Sequence, residues 1–235
     1  MKKYLSYGGG VNSTAMILLL LDEGWEFESV YVDHGCDWPE TREYVKMMAE
    51  KYPITVLKPA VSVKGQIYDD LYAYGWDYEV LPSRLQRWCT TKFKIDVINS
   101  YIERPCEQMI GIDAGEDNRV RDSWDDDAVN RYPLVERGID RDGCIRIIKD
   151  HGLPVPIKSG CWFCPYQRVS QWKLLRVKHP ELFCKAKKLE ERVKELRLSK
   201  GLKPFFFNKV PLDVLINEGQ SVMWPDMKPP CSCGL

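Results

Sequence analysis

Two stretches of this 235-residue chain carry residue types that can do chemistry. Near the start, Gly8-Gly9-Gly10-Val11-Asn12-Ser13-Thr14 lies between a short apolar strand, Lys3 to Tyr7, and an apolar helix expected over Ala15 to Leu21. Consecutive glycines let the backbone approach an anion and turn its N–H groups inward, and the following helix adds the positive end of its dipole. Gly9 reads as a point of close phosphate approach, where a side chain would obstruct binding. Asn12, Ser13 and Thr14 add side-chain donors. A plain glycine-rich turn is the competing reading. Farther along, Gly160-Cys161-Trp162-Phe163-Cys164-Pro165 is a C-x-x-C hairpin of the kind that wraps a metal or a cluster. Between the two, Arg84 to Lys94 sets several cations beside Cys89, which favours a thiolate for ligation or for reaction, a basic solvated face with a buried Cys being the alternative.

Two common phosphate loops are excluded by spacing. A Walker-type loop ends in Lys beside Ser or Thr, and no lysine occurs between Lys3 and Lys46. A dinucleotide fingerprint needs separated glycines, whereas Gly8 to Gly10 are contiguous. The elements that must position these residues follow from periodicity. Phe27 to Asp33 predicts a second strand after the first helix, and strand–helix–strand within about 30 residues is a βαβ unit with a parallel sheet. Asp33-His34-Gly35 then falls at the carboxyl end of that strand, the edge where open α/β sheets bind ligands.

Pro39-Glu40-Thr41 starts a helix, Ile54 to Leu57 a strand, and Gly75 to Pro82 a loop over the site. Thr90 caps a helix whose buried side carries Ile95, Val97, Ile98 and Ile102. Met109 to Ile112 predicts another strand, the acidic run Asp125 to Asp127 a solvated loop, and Ile139 to Lys149 a short helix. Two further helices run from Gln171 to Pro180 and from Glu181 to Leu198. The expected fold is an open parallel α/β sheet with helices on both faces, plus a C-terminal helical and cysteine-bearing region. The boundary is expected between a nucleotide-binding part, 1–157, and a hairpin, helix and tail part, 158–235, packed on it.

Composition limits the function classes. With 44% hydrophobic and 29% charged residues and a formal net charge of zero, the chain can bury a sizeable core but carries no global basic field. The apolar run Ala15 to Leu21 is too short to span a bilayer and has no cleavage site, so a cytoplasmic location with no membrane partner is expected. Nine cysteines, an odd number without an export signal, favour metal or redox chemistry over a disulfide framework. Cys36, Cys106, Cys144 and Cys184 have no paired spacing and read as ordinary core or loop residues.

Taken in order, five motifs resemble one family. Gly8-Gly9-Gly10-Val11-Asn12-Ser13 resembles the PP-loop of the ATP pyrophosphatases, Ser-Gly-Gly-x-Asp-Ser. Asp33-His34-Gly35-Cys36-Asp37-Trp38-Pro39-Glu40-Thr41 is similar to the Asp-Thr-Gly…Pro-Glu-Thr run of phosphoadenosine-phosphosulfate (PAPS) reductase-like proteins. Arg87-Trp88-Cys89-Thr90-Thr91-Lys92 resembles their Arg-x-Cys-Thr…Lys segment. Gly111-Ile112-Asp113 with Glu116, Arg119 and Arg121 is similar to Gly-Ile-Arg…Glu-Ser…Arg, and Tyr132-Pro133-Leu134 matches the step that follows.

The resemblance implies an adenine nucleotide, ATP above all, contacted by Ser6, Tyr7, Gly8, Gly9, Gly10, Asn12, Ser13 and Thr14. It also implies that the turn Asp33, His34 and Gly35 packs on adenine and ribose, a surface histidine being the alternative for His34. Because Asp113 stands where Arg is usual, the phosphate-side charge is assigned to Arg119 or Arg121. Asn12, Ser13, Lys92 and Arg119 are the implied catalytic residues. Asn12 in place of Asp removes a negative charge where a metal-bound phosphate would sit, so phosphate binding is implied more firmly than magnesium dependence.

Adenylylsulfate reductases join a Cys-Cys pair to a C-x-x-C to hold a four-iron cluster. Here Trp88 takes the place of the first Cys, leaving Cys89, Cys161 and Cys164 with one ligand missing. The tail Cys231-Ser232-Cys233-Gly234-Leu235 can supply it, and Cys233 is the favoured fourth ligand. Zinc on the same thiolates is the competing metal. The implied chemistry is ATP-dependent adenylylation of a substrate with release of pyrophosphate, in sulfur transfer or in modification of a nucleic acid or small molecule, with a sulfur or electron donor as a further partner. Reduction of a sulfonucleotide with Cys233 as nucleophile, and a nucleotide- or metal-binding module without turnover, are the alternatives. A homo-oligomer is open.

Overall fold

The computed structural model describes residues 1–217. Five strands form one parallel sheet: β1 (Lys2–Ser6), β2 (Glu28–Val32), β3 (Ile54–Leu57), β6 (Cys106–Ile110) and β7 (Ala128–Arg131), in spatial order β3-β2-β1-β6-β7. A small antiparallel pair, β4 (Val61–Val63) and β5 (Gln66–Tyr68), stands apart. β1 and β2 bury near-continuous apolar runs, as strands covered on both faces must. Strand order reverses at β1, so the crevice beyond the carboxyl ends of β1 and β6 is the switch point where such sheets bind ligands.

The helices are α1 (Val11–Asp22), α2 (Pro39–Lys51), α3 (Leu71–Asp77), α4 (Trp88–Thr90), α5 (Asp96–Tyr101), α6 (Pro133–Glu136), α7 (Arg141–Asp150), α8 (Val169–Lys178), α9 (Pro180–Ser199) and α10 (Leu212–Asn217). α1 is apolar nearly all round and is buried between the sheet and α7, the arrangement expected of a helix without a polar face. A π-helical turn, Thr91–Ile95, joins α4 to α5, and a 3₁₀ turn, Ala114–Arg119, follows β6.

Among the described residues, two of the four buried clusters hold most of the interior. One packs α1, α7 and the inner strands around Leu5, Met16, Ile17 and Met109. The other is aromatic and gathers Trp38, Phe93, Phe163 and Trp172 with Leu189 and Leu212, so residues 161–216 share an interior with residues 36–93.

Several local expectations are corrected. α3 continues through Gly75 to Asp77, because Gly75 sits against the Val80 carbonyl and Leu189, where a larger residue would not pack, and the predicted loop begins later. Tyr68 ends β5, and α3 begins at Leu71 with Asp70 as its cap. Thr90 lies inside a helix that starts at Trp88, with Arg87 in the left-handed conformation at its N-cap. β7 was not anticipated: only Ala128 of its four residues is buried, which leaves no alternating signal to read. Its register pairs Cys106 with Ala128 and Met109 with Arg131.

Candidate functional site

Gly10 caps α1 with extended backbone and no side-chain cap, so the first turn offers its N–H groups outward. Neighbouring residues fix the loop. The Ser13 hydroxyl accepts from the Gly8 N–H at 3.2 Å and donates to the Gly10 carbonyl at 3.3 Å. Gly111, at the end of β6, approaches so closely that an added Cβ would lie 3.1 Å from the Ser13 nitrogen. Gly9 has φ +66°, and a Cβ there would meet Val45 Cγ2 at 2.8 Å and Thr41 Cγ2 at 2.9 Å. The missing side chain at Gly9 therefore makes room for α2, which corrects the expectation that it makes room for phosphate. The side chain that Gly10 lacks would meet Ser159 Oγ at 2.6 Å, on the rim of the cleft.

The first turn of α1 opens into a cavity of about 520 Å³. Gly10, Asn12 and Ser13 line it together with Cys89, Cys161 and Cys164. Five cations face it, Arg87, Lys94, Arg141, Lys158 and Arg168, against two carboxylates, Asp113 and Glu116. That excess of positive charge suits an anionic ligand.

Asn12 is 3% exposed and is held at both ends of its amide: Nδ2 donates to Asp113 Oδ2 at 2.9 Å, and Oδ1 accepts from Arg141 Nη1 at 2.9 Å. Asp113 Oδ1 also accepts the Gly115 N–H at 2.9 Å. The pairing across 101 residues exists because β1 and β6 are neighbours, with Ser6 opposite Ile110, so both loops leave the sheet at the same place.

His34 is 1% exposed and lines the cavity, so it is not a surface turn residue. Its Nδ1 accepts the Cys36 N–H at 3.3 Å, and Nε2 faces Asp37 Oδ1 at 3.4 Å. Tyr31 donates its hydroxyl to the other Asp37 oxygen at 2.6 Å. Burial opposes the Asp37 charge, yet His34, Lys94 and the Tyr31 hydrogen bond hold its carboxyl well below the usual carboxylate range.

The cysteine hairpin is tied directly to this turn. Trp38 donates its N–H to the Gly160 carbonyl at 3.1 Å, and Trp162 donates to the Cys36 carbonyl at 2.9 Å. Arg84 grips the Pro165 carbonyl with Nε and Nη2, at 2.8 and 2.6 Å, which brings the Cys89 segment against the hairpin. The three thiols feel one another. A hydrogen bond to Cys161, with Lys94 and Lys158 nearby, draws the Cys164 thiol below its ordinary range. Its partner Cys161 is raised by that same bond and by desolvation, and Cys89 is raised chiefly by desolvation. Burial thus holds Cys89 and Cys161 as thiols, against the thiolate expected of Cys89 from its neighbouring cations, and a thiophilic metal would have to displace their protons on binding. Among the described residues, no group of three His, Cys, Asp or Glu side chains is arranged to hold a metal ion. Cys231 and Cys233 lie outside the described residues.

Other residues singled out from the sequence fall elsewhere. Thr14 and Tyr7 are buried in the core, where their hydroxyls lie 3.4 Å apart, and Ser6 is buried beneath the loop. Gly8, Asp33 and Gly35 stand beside the cavity rather than in its wall, with Asp33 accepting the Gly35 N–H at 3.0 Å. Arg119 pairs with Glu116 at 2.7 Å, and Arg121 is exposed and donates to the Asn118 carbonyl at 2.8 Å; neither lines the cavity. Lys92 is exposed and Lys94 lines the cavity, since residues two apart on a helical turn face opposite ways. Sequence reasoning missed Lys94 and Arg141. Lys94 carried a signal, its place beside Cys89, whereas nothing local marks Arg141.

Comparison with known proteins accords with this geometry. Residues 2–109 match the phosphoadenosine phosphosulfate reductase domain. Two uncharacterized proteins of Methanocaldococcus jannaschii are similar: one is 23% identical over 201 residues, covering 77% of this chain and 45% of the relative. The other is 22% identical over 214 residues, covering 76% and 39%. The chain thus spans less than half the length of these curated relatives. The crystal structure of a phosphoadenylyl-sulfate (PAPS) reductase from Candida auris, a phosphate complex, superposes with a TM-score of 0.50 at 11% identity, over 66% of this chain and 75% of the other, a likeness of fold.

Proposed function

Because residues 2–109 match the phosphoadenosine phosphosulfate reductase domain, we propose that this chain is an enzyme that binds ATP and adenylylates a substrate oxygen. The substrate oxygen attacks the α-phosphorus, the α–β bridging bond breaks, and pyrophosphate leaves. The adenylate makes an otherwise inert oxygen displaceable. The supporting observation is the joining, in one cavity of about 520 Å³, of the open first turn of α1 with a wall bearing three thiols. Such a volume suits a nucleotide-sized ligand.

In this reading the N–H groups of Val11, Asn12 and Ser13 receive the leaving phosphates, as helix N-termini do for anions. Lys94 takes the role first assigned to Lys92, since it faces the cavity. Cys89, Cys161 and Cys164, with Cys233 as the fourth ligand, would hold a four-iron cluster, which would supply electron or sulfur-handling chemistry there. The substrate is an oxygen of a nucleic acid or a small molecule.

The test is turnover of ATP followed by ³¹P NMR, alongside release of sulfite from a sulfonucleotide. AMP and pyrophosphate, without sulfite release, support adenylylation. Sulfite without pyrophosphate transfers the assignment to reduction. Tight ATP binding without either product leaves a binding module. Metal analysis after anaerobic preparation separates iron with sulfide from zinc.

A further inference from the structure

The amide of Asn12 cannot be turned around. Asp113 only accepts and Arg141 only donates, so Nδ2 must face the carboxylate and Oδ1 the guanidinium. Asp113 is 4% exposed and spends both oxygens locally, on Asn12 and on the Gly115 N–H. Its charge is therefore committed to fixing the loop after β6 and the first turn of α1. Arg141 is placed differently. It is the first residue of α7, it is exposed toward the cavity, and it forms no ion pair among the described residues. Among the described residues, its side-chain hydrogen bond goes to a neutral oxygen. A guanidinium held by one nitrogen to an uncharged acceptor keeps its full charge and most of its five N–H donors for a ligand.

We propose that Arg141 is the cation that binds the departing pyrophosphate at the first turn of α1, and that Asn12 and Asp113 are positioning residues that aim it. This rests on the adenylylation reading above and names the group that stabilises its leaving anion. Both ends of the Asn12 amide are engaged by protein partners, and unlike a carboxylate it brings no negative charge to a metal ion. A carboxylate at position 12 would face Asp113 across a hydrogen-bond distance and neutralise Arg141.

The experiment titrates inorganic pyrophosphate, ATP and adenosine into the protein by calorimetry, with and without magnesium. Arg141→Met should weaken pyrophosphate and ATP by about tenfold or more, the loss expected for a charge-assisted pair. Adenosine affinity should be unchanged, and Arg141→Lys should recover part of the loss. Asn12→Asp should weaken pyrophosphate without magnesium. Melting temperatures check that the variants are folded, and the exposed Arg141 is the safest of the three to change. Pyrophosphate binding within twofold of the parent in a folded Arg141→Met protein would overturn the assignment while leaving the adenylylation reading intact. Failure of the parent to bind either ATP or pyrophosphate would overturn both.

Discussion

Trp162 donates its backbone N–H to the Cys36 carbonyl at 2.9 Å, and through this bond the cysteine hairpin becomes part of the turn that follows β2. The neighbouring residues Asp37 and Cys161 form an isolated antiparallel bridge. The cysteine hairpin and the ligand edge of the sheet are thus joined by backbone hydrogen bonds.

Arg84 extends that connection to Cys89. Its two bonds to the Pro165 carbonyl join the segments that carry the two sets of thiols, beside the bond from the Tyr166 hydroxyl to the Arg84 carbonyl at 3.0 Å. Arg84→Met is expected to cost roughly 1.5–3 kcal/mol, the range for hydrogen bonds from a charged donor. It should also lower bound metal per chain. Denaturant melts and metal analysis read the two effects, and a variant with parental values in both would show that the link does not matter.

Gly9→Val should act through stability. The added side chain meets Val45 and Thr41 of α2, and the backbone stands at φ +66°. Left-handed strain and overpacking together cost about 2 kcal/mol or more. A urea midpoint equal to that of the parent would contradict the packing role and return Gly9 to the phosphate.

Cys164→Ser should reduce bound metal strongly, because an alcohol is a poor ligand for the thiophilic metals that a thiol wall suits. Cys184→Ser is the control, since Cys184 is exposed on α9 away from the cavity wall. Equal metal content in both variants would remove the thiol wall from metal binding.

Glu190 predicts a pH dependence. It is buried on α9 and accepts the N–H groups of Phe207 at 3.0 Å and Leu212 at 2.9 Å, fastening the segment that leads into α10. Burial pushes its carboxyl up from 4.5 to about 7 despite those two bonds, with Asp213 and Glu191 adding in the same direction. Between these values the folded chain holds more protons than the unfolded one, so its contribution to stability falls as pH rises from 4.5 to about 7 and is level above. The difference in unfolding free energy between parent and Glu190→Gln, measured from pH 5 to pH 8, should change across that window. A constant difference would show that Glu190 does not titrate there.

The sequence by itself determined the glycine loop, the parallel α/β order and the cysteine hairpin, because each is written in short-range pattern: contiguous glycines, apolar strand runs, two cysteines three apart. Ile54–Leu57 and the start of α2 at Pro39 are where the pattern puts them. Only the tertiary structure decided which side chains of those segments meet. Asn12 and Asp113 touch because β1 and β6 are adjacent in register, and Arg141 joins them because α7 packs on α1. Lys94 rather than Lys92 faces the cavity because of the phase of a helical turn, and Gly9 answers to α2 because of the direction of a missing Cβ. Local pattern fixes the period of an element better than its boundaries, as Thr90 inside α4 and the run of α3 through Gly75 show. The facing of its side chains is settled by partners distant in sequence, as Arg141 is from Asn12, 129 residues away.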